Sequence, residues 1–321
     1  MSKKHLYKTV LIGSSGAGNA FSSAIALRRN WGNSVEIISI DTNPKYLVTS
    51  SLLCDKFYQV PETRMPEFKK SLVKILLEEN VDTYIPFIDA EIFIAASLYE
   101  EKKFKEKLNL QVKNSKIANL CNDKYETFLW LSENNILTPL CFKEVAQIHN
   151  YEKLILKPRK GFGTNVIRLS EIKDTFSHYN FEEYIIQQEC EKPEITIDVS
   201  YDKTRNLFNY VCRERLEVKN GVCTKARLFS DKKLEKSAFT IADKLDLSSF
   251  CFQVMKYKGE WAVTDINARL GAGTSMSFAV GMDFFSGMFA ILWGEDPSEY
   301  FRPLQKETFV TRQYCEFLMN F

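Results

Sequence analysis

The regular alternation of apolar segments in the first ninety residues most constrains the fold of this 321-residue chain. Apolar runs typical of buried strands cover residues 8–12, 35–40 and 83–86, and helical patterns cover about 20–29 and 65–80 between them. Strands that alternate with helices form a parallel sheet, because the helices provide the crossover connections. The sequence therefore predicts an N-terminal α/β domain with a parallel sheet.

Three glycines follow the first strand in the spacing G-x-x-G-x-G, starting at Gly13. The dinucleotide-binding motif has the order G-x-G-x-x-G, so the glycine that lets the backbone approach a phosphate is misplaced. We expect a tight turn that packs the next helix on the sheet, rather than a nicotinamide site with Asp41 on a ribose. The turn could still line a substrate cleft, toward which Asp89 and Glu91 point from the end of the third strand.

The bulk properties exclude several classes of protein. A formal net charge of +2, from 43 basic and 41 acidic residues, argues against nucleic-acid binding through bulk electrostatics. The eight cysteines form no CxxC pair and the three histidines are scattered, which argues against a zinc site. The apolar stretch Phe284–Trp293 is too short to cross a membrane, and the N-terminus lacks the apolar core of a signal peptide. We therefore expect a cytoplasmic enzyme.

The pattern changes near residues 110–120, where strand-rich segments replace the alternation. A chain of this length is expected to form two or three packed subdomains. Asn122 or Asp123 can cap a helix that runs to about Asn134. We place the domain boundary just before this helix.

A polar hairpin lies near the C-terminus. A turn at Gly259 sets Gln253 opposite Asp265, and alternation along the strand sets Asn267 on the same face as Asp265. Oxygen ligands with the neighbouring cation Arg269 suit Mg²⁺ that holds nucleotide phosphates better than they suit Zn²⁺. The alternative for the hairpin alone is an ordinary polar strand face.

A second candidate phosphate site combines a basic strand end with a glycine loop. Lys157 ends one strand, and Gly161 and Gly163 lie in the loop before the next one. Such a loop can lay backbone N–H groups over phosphates, although it lacks the GK[ST] sequence and the helix of a P-loop. Further along, Arg213 and Arg215 share one face of a strand, for which an exposed charged strand is the alternative.

Taken in order, these elements resemble the ATP-grasp superfamily, and within it the carbamoyl phosphate synthetase halves and the carboxylate–amine ligases. The resemblance covers nearly the whole chain and rests on Asp123-Lys124, Lys157-Pro158 with its glycine loop, the segment 187–194, Arg213 with Arg215, and Gln253 with Asp265-Ile-Asn267-Ala-Arg269. It implies an α/β pre-ATP-grasp domain followed by an α+β ATP-grasp fold with two subdomains. The implied ranges are 1–115 for the first domain, 116–185 for a lid and 186–321 for the C-terminal subdomain with the metal and substrate site.

The resemblance also implies a role for each motif residue. The triphosphate would be bound by two lysines and a flap at 160–165, namely Lys124, Lys157, Lys160, Gly161 and Gly163. The backbone groups of Gln188, Glu189 and Cys190 would border the adenine. The side chain of Glu194 would bind the ribose. The ligands of Mg²⁺, or of Mn²⁺ in its place, would be Gln253, Asp265 and Asn267. Arg269 would bind the transferred phosphoryl group, and would grip the carboxylate together with Arg213 and Arg215.

Three positions depart from the family pattern. Asp265 stands where the family usually has glutamate, so the metal would lie closer to the strand or bind through one oxygen. Gln188 stands where the adenine segment usually has an acid, and Lys192 where it usually has glycine, which puts base selectivity in question.

The implied activity is ATP-dependent activation of a carboxylate as an acylphosphate, followed by attack of an amine. The partners would be small carboxylate and amine substrates, and a homodimer is possible. The alternatives are another ATP-grasp phosphoryl transfer, of carbamoyl phosphate or kinase type, and a non-catalytic nucleotide-binding protein. Residues from Gly271 onward are expected to open one helix that runs to about Phe285, with an anion favoured at its start.

Overall fold

The computed structural model describes residues 7–105, 107–144, 148, 153–161, 166–168, 179–219 and 221–319. Its first sheet is parallel throughout, as the alternating pattern predicts. The elements of this N-terminal part are β1 (Lys8–Ile12), α1 (Gly18–Trp31), β2 (Val35–Asp41), β3 (Lys56–Gln59), α2 (Pro66–Glu78), β4 (Thr83–Ile85) and α3 (Asp89–Glu100). The strand order is β3-β2-β1-β4.

Helices cover both faces of this sheet, which explains why its central strands are apolar without interruption. On one face, Val10 and Ile12 of β1 pack in a core with Ala24 and Leu27 of α1. On the other face, Leu11 packs in a core with residues of α2. Successive strand residues thus point to opposite helical layers.

Two helices and a small antiparallel sheet follow. The helices are α4 (Ser115–Asn122) and α5 (Lys124–Glu133), and Asp123 between them caps α5 by accepting hydrogen bonds from the N–H groups of Tyr125 and Glu126. The small sheet consists of β5 (Cys141–Phe142), β6 (Leu154–Pro158), β7 (Ile167–Arg168) and β8 (Tyr184–Gln188), in the order β5-β8-β6-β7.

A six-stranded antiparallel sheet forms the C-terminal part. Its strands are β9 (Glu191–Asp202), β10 (Leu207–Lys219), β11 (Val222–Phe229), β12 (Ser249–Tyr257), β13 (Glu260–Asn267) and β14 (Thr308–Thr311), in the order β13-β12-β9-β10-β11-β14. Helix α6 (Lys232–Leu245) covers one face, where Leu234, Ala238 and Ile241 pack in one core with residues of β9 and β12. The two antiparallel sheets confirm the α+β second half.

The prediction of one helix from Gly271 to Phe285 was wrong. The segment contains α7 (Ser275–Phe278), and α8 (Phe284–Leu292) begins after a break. Gly281 has a φ of +85°, in the left-handed region that ends helices and favours glycine. Asp283 then caps α8 by accepting from the Ser286 N–H at 3.2 Å.

Helix α8 connects the two halves of the molecule. Its residues Met288 and Phe289 pack in the same core as Ala24 and Leu27 of α1. Within the described residues, no helix is both long enough and apolar enough to cross a membrane.

Candidate active site

The hairpin of β12 and β13 brings the predicted metal ligands together. Gln253 pairs with Asp265 across the strands, as the sequence predicts, and Cys251 pairs with Asn267. The Asn267 side-chain amide donates to the Asp265 carboxylate at 3.1 Å. Gln253, Asp265 and Asn267 are all partly exposed on one face, while Phe252 is buried on the other.

This donor set fits a magnesium ion that is held mainly by a nucleotide. It offers one carboxylate and two amide oxygens, which are hard ligands, and Mg²⁺ usually keeps waters and phosphate oxygens in its remaining positions. Within the described part of the chain, no group of three or more His, Cys, Asp or Glu side chains could hold a metal by itself. The three ligands therefore need phosphate oxygens to complete a coordination shell, and their metal role stays a prediction.

Lys157 lies against this hairpin. Its ammonium group donates to the carbonyl oxygen of Thr264 on β13 at 3.4 Å, and its side chain is buried. Burial lowers the pKa of Lys157, the charge of Asp265 acts in the opposite direction, and the charge of Lys124 lowers the pKa further. A buried lysine beside a second lysine is a place where a polyanion would be stabilised.

Lys124 is held next to the start of the predicted flap. Its ammonium group donates to the Gly161 carbonyl at 2.8 Å, and its backbone N–H donates to the Arg159 carbonyl at 2.9 Å. Gly161 has a φ of +77°, which a residue with a side chain adopts only with strain. Lys160 is mostly exposed, with its ammonium group 4.0 Å from Asp123. Gly163 and the rest of the flap to residue 165 lie outside the described residues.

The predicted adenine segment joins β8 to β9. The backbone N–H groups of Gln188 and Glu189 donate to the carbonyls of Leu140 at 2.9 Å and Lys153 at 2.8 Å. The Gln188 side chain accepts a hydrogen bond from the Tyr257 hydroxyl on β12. These bonds tie the segment to both antiparallel sheets, so its position relative to the hairpin is fixed.

Two other residues of the predicted nucleotide site have different surroundings. Burial raises the pKa of the Cys190 thiol to about 11, so the thiol is neutral near pH 7 and offers an apolar surface. The Glu194 carboxylate forms an ion pair with Arg215, whose guanidinium also donates to the Gly221 carbonyl at 2.9 Å. The residues predicted to contact the ribose and the carboxylate thus contact each other.

Arg213 is buried beneath the turn that follows β13. Its guanidinium forms hydrogen bonds with Asp198 at 3.2 and 3.3 Å, and the hydroxyls of Thr274 and Ser277 donate to the same carboxylate at 2.7 and 2.8 Å. A Cβ atom on Gly273 would lie 2.3 Å from Arg213 Nη1. Arg213 therefore supports the turn from below, and direct contact with a substrate stays a prediction.

The N-terminal domain reaches the same region through Asp89. Its carboxylate lies 3.5 Å from Arg269 Nε, and the Arg269 side chain is buried. Asp89 is the first residue of α3, at the carboxyl edge of the parallel sheet, and the contribution of this edge to a substrate cleft stays a prediction.

The glycine turn after β1 serves close packing. The buried Glu91 carboxylate accepts from the Ser14 N–H at 3.2 Å and hydroxyl at 2.9 Å, and a Cβ on Gly13 would lie 2.1 Å from its second oxygen. Asp41 accepts from the Gly16 N–H at 2.7 Å, so its carboxylate is used by the turn itself. Burial raises the pKa of Glu91 to about 7.

Two charged residues near the site were missed by sequence reasoning. Asp198 occupies a polar position in the alternating sequence of β9, which is typical of an exposed strand face, yet the structure buries it completely. Arg312 follows β14, and its guanidinium donates to the Ala272 carbonyl at 2.9 Å and the Ser275 hydroxyl at 2.6 Å. No local pattern distinguishes Arg312 from an ordinary surface arginine.

Comparison with protein families gives two matches that together span most of the chain. The PylC-like N-terminal domain matches residues 10–111, and the ATP-grasp domain matches residues 121–273. The second match includes Lys124, Lys157 and the β12–β13 hairpin. A search of the curated proteins gives no match.

Solved structures with the same fold include three informative neighbours. N5-carboxyaminoimidazole synthetase from Staphylococcus aureus, complexed with ADP, has a TM-score of 0.72 and 15% identity over 95% of this chain and 82% of its own. L-amino acid ligase from Bacillus licheniformis has a TM-score of 0.68 and 15% identity, over 89% of this chain and 74% of its own.

The third neighbour is the biotin carboxylase domain dimer of Hydrogenobacter thermophilus 2-oxoglutarate carboxylase, in complex with MgADP, ADP and bicarbonate. It has a TM-score of 0.68 and 15% identity, over 90% of this chain and 70% of its own. At these identities the similarity establishes the fold. Residues 121–273 of this chain thus match the ATP-grasp domain, residues 10–111 match the PylC-like N-terminal domain, and the whole chain has the fold of these solved structures.

Proposed function

We propose that this protein is an ATP-dependent, ADP-forming ligase that activates a carboxylate as an acylphosphate and joins it to an amine. The observation that carries the proposal is the contact of Lys157 with the β12–β13 hairpin that holds Asp265, close to Lys124, which itself contacts Gly161. Cations and hard oxygen ligands on adjoining elements suit phosphoryl transfer, which needs positioning and charge neutralisation more than covalent catalysis.

Different side chains would bind the triphosphate, the adenine, the metal ion and the transferred phosphoryl group. Lys124 and Lys157 would bind the triphosphate as point charges, and the segment 188–190 would border the adenine. Mg²⁺, held by Gln253, Asp265 and Asn267, supplies neutralisation of the phosphate charge when it is bound. Arg269 would bind the transferred phosphoryl group.

In the second half-reaction, the amine attacks the carbonyl carbon of the acylphosphate, and the tetrahedral intermediate collapses with loss of phosphate. Arg269 is suited to stabilise the developing oxyanion, because a guanidinium offers several donors in a fixed plane. Its contact with Asp89 fixes the guanidinium before the substrate enters. Arg213 would act through the turn that it supports.

The proposal is tested by ADP release from the full chain with ATP, Mg²⁺ and mixtures of carboxylates and amines. We expect release of ADP and phosphate that requires both substrates, and a product mass equal to the two substrates minus water. Lys157→Ala and Asn267→Ala should abolish turnover, with Arg64→Gln as the control because that side chain is 76% exposed.

Other results would favour the alternatives. A phosphorylated product without an amide would point to phosphoryl transfer of the carbamoyl phosphate or kinase type. Binding of Mg²⁺ and ATP without any substrate-dependent release would point to a non-catalytic nucleotide-binding protein, and the single carboxylate of the metal site gives that outcome a structural basis.

We further propose that Mn²⁺ can replace Mg²⁺, because both are hard cations with oxygen ligands. A homodimer is proposed as the assembly, since the biotin carboxylase domain of the same fold is a dimer. The eight cysteines are free thiols, which is typical of reducing compartments and supports a cytoplasmic location.

A further inference from the structure

We propose that Arg312 is a specificity-determining residue that binds a free carboxylate of the amine substrate, so that the acceptor is an amino acid rather than a simple amine. The inference rests on the proposed ligase function, because it concerns the second substrate of that reaction. Arg312 lies outside the matched ATP-grasp domain, which ends at residue 273.

Three arginines meet around the segment from residue 269 to residue 275, which we call the post-hairpin turn. Arg269 begins the turn, directly after the predicted metal ligands. Arg213 lies against its middle, with Nη1 at 2.3 Å from where a Cβ of Gly273 would be. Arg312 holds its far end through the Ser275 hydroxyl.

The charges around the turn do not balance. Arg213 is paired with Asp198 and Arg269 with Asp89. No carboxylate of the described residues lies within ion-pair distance of Arg312. Of the three guanidinium groups, Arg312 is thus the one without a carboxylate partner among the described residues, and its positive charge is locally in excess.

The position of Arg312 makes that excess costly without an anion. The side chain is partly buried, and its pKa is lowered by burial and then by the charge of Arg213. A partly desolvated cation without a counter-charge lowers stability, and such groups are characteristic of sites that bind an ion of opposite sign.

The guanidinium is also preorganised for this task. The backbone N–H of Arg312 donates to the Thr224 carbonyl at 2.9 Å, and the preceding Thr311 pairs with Lys225 on β11. The two recorded side-chain bonds both use Nη2, so Nη1 and Nε keep donors for a ligand. A fixed donor group with spare N–H bonds loses little entropy when it binds a carboxylate.

The location indicates which carboxylate is bound. The carboxylate that becomes phosphorylated must lie near the metal ligands and Arg269, at the start of the post-hairpin turn. An anion at the far end of the turn then belongs to the other substrate, the amine. An amine that also carries a carboxylate is an amino acid.

The test compares amino acids with their carboxamides, which keep the amine and lack the negative charge. Binding to the full chain is measured by calorimetry with Mg²⁺ and a non-hydrolysable ATP analogue, so that it does not depend on turnover. The probes are the proteinogenic L-amino acids and the matching amides. We expect at least one amino acid to bind about 10- to 100-fold more tightly than its amide, the range for a lost charge-assisted hydrogen bond.

Variants separate ligand binding from support of the turn. Arg312→Gln should abolish the preference for the acid over the amide while the affinity for the ATP analogue stays unchanged, and Arg312→Lys should restore part of the preference. Arg64→Gln is the matched control, because Arg64 pairs only with exposed Glu62. In turnover, Arg312→Gln should raise KM for the amino acid by a larger factor than it lowers kcat, as expected when the lost contact is made in both the ground state and the transition state.

Several outcomes would overturn the inference. These are equal binding of acid and amide, a preference that survives in Arg312→Gln, and a complete absence of amino-acid binding. A preference that depends on Arg312 but is not accompanied by ADP release from any amine would support the inference and count against the proposed ligase activity. ADP release that occurs with simple amines and not with amino acids would support the proposed ligase activity and count against the inference.

Discussion

Asp265 is the residue on which the predicted nucleotide site depends most. It is the one carboxylate among the three predicted metal ligands, and it pairs with Gln253 and accepts from Asn267. Its side chain is one methylene shorter than the glutamate usual in the family, yet the hairpin still places it on the exposed face beside both amides.

We predict that Asp265→Asn weakens binding of MgATP at least about tenfold, because the only negative metal ligand is lost while the size is retained. Asp265→Glu should keep most of the affinity, since it restores the family's ligand. Calorimetry with ATP in the presence and absence of Mg²⁺ measures both. Equal Mg²⁺ dependence in the wild type and Asp265→Asn would show that the metal lies elsewhere.

Glu91 predicts a pH dependence of stability. Burial raises its pKa from 4.5 to about 7 in the folded protein, so the folded chain keeps a proton that the unfolded chain loses. The unfolded state therefore binds fewer protons between these values, and stability falls as the pH rises through this window. Above about pH 7 the loss is complete.

We predict that Glu91→Gln removes this loss, because a neutral amide oxygen can still accept from Ser14. The difference in free energy of unfolding between variant and wild type should shift in favour of the variant by on the order of 3 kcal/mol from pH 4.5 to about pH 8. Urea unfolding across this range is the measurement. A constant difference would mean that Glu91 is already ionised in the folded protein at low pH.

At the scale of elements, the post-hairpin turn determines how β13 is joined to the C-terminal helices. The turn fits closely over the buried pair of Arg213 and Asp198, to which Thr274 and Ser277 also donate. Gly273 is required there because of the close approach of Arg213, and not because of its backbone angles.

We predict that Gly273→Ala lowers stability by about 1–3 kcal/mol, as expected for an added methyl group in a packed site, and also lowers ligase activity by displacing the turn. Gly18→Ala is the matched control: no atom lies within 4 Å of its Cβ position, and Gly18 is in helix α1, so its stability should stay equal or rise slightly. Thermal unfolding of both variants is the comparison. An unaffected Gly273→Ala would mean that Arg213 moves aside at little cost.

The same turn shows why the local pattern fails over 271–285, although the buried helix expected from Phe284 onward is present as α8. The sequence predicted one helix opened by the segment from Gly271 and continuing to about Phe285, yet the chain forms α7 and α8 with a break at Gly281. The second helix begins at the cap Asp283, whose carboxylate also pairs with Arg29 of α1. A contact with a helix 254 residues earlier in the sequence has no local signature.

At the scale of the whole molecule, the N-terminal domain and the C-terminal part share one core. Met288 of α8 is fully buried among residues of α1 and β10. The Asn19 amide on α1 also donates to the Leu270 carbonyl in the post-hairpin turn at 3.0 Å. The first domain therefore supports the post-hairpin turn through Asn19, in addition to the contact that Asp89 makes with Arg269.

We predict that Met288→Ala lowers the stability of the N-terminal domain and the C-terminal part together, by about 2–5 kcal/mol. Hydrogen exchange should report the loss in β1 and α1 as well as in α8. Leu77→Ala, at an exposed residue of α2, is the control. Faster exchange limited to α8 would show that the two parts unfold independently.

The sequence by itself determined the fold class and the β12–β13 hairpin with its turn. Both depend on local rules: the alternation of strands and helices gives a parallel sheet, and the turn at Lys258-Gly259 pairs Tyr257 with Glu260. Gln253 lies opposite Asp265, as predicted, but only because the register shifts between Gln253 and Val254, and symmetry about the turn does not predict that shift. The cap of α5 was predicted at Asn122 or Asp123 for the same reason, and the structure has it at Asp123, whose partners are two and three residues away.

Only the tertiary structure decided which charges neutralise one another. The pairs Arg269–Asp89 and Arg215–Glu194 and the unbalanced Arg312 join residues that are distant in sequence. Such pairings depend on how separate elements pack, and an arginine has the same local sequence pattern whether it binds a protein carboxylate or a ligand. The motifs therefore predicted where ATP would bind, and the packing supports our proposal of where a second substrate is recognised.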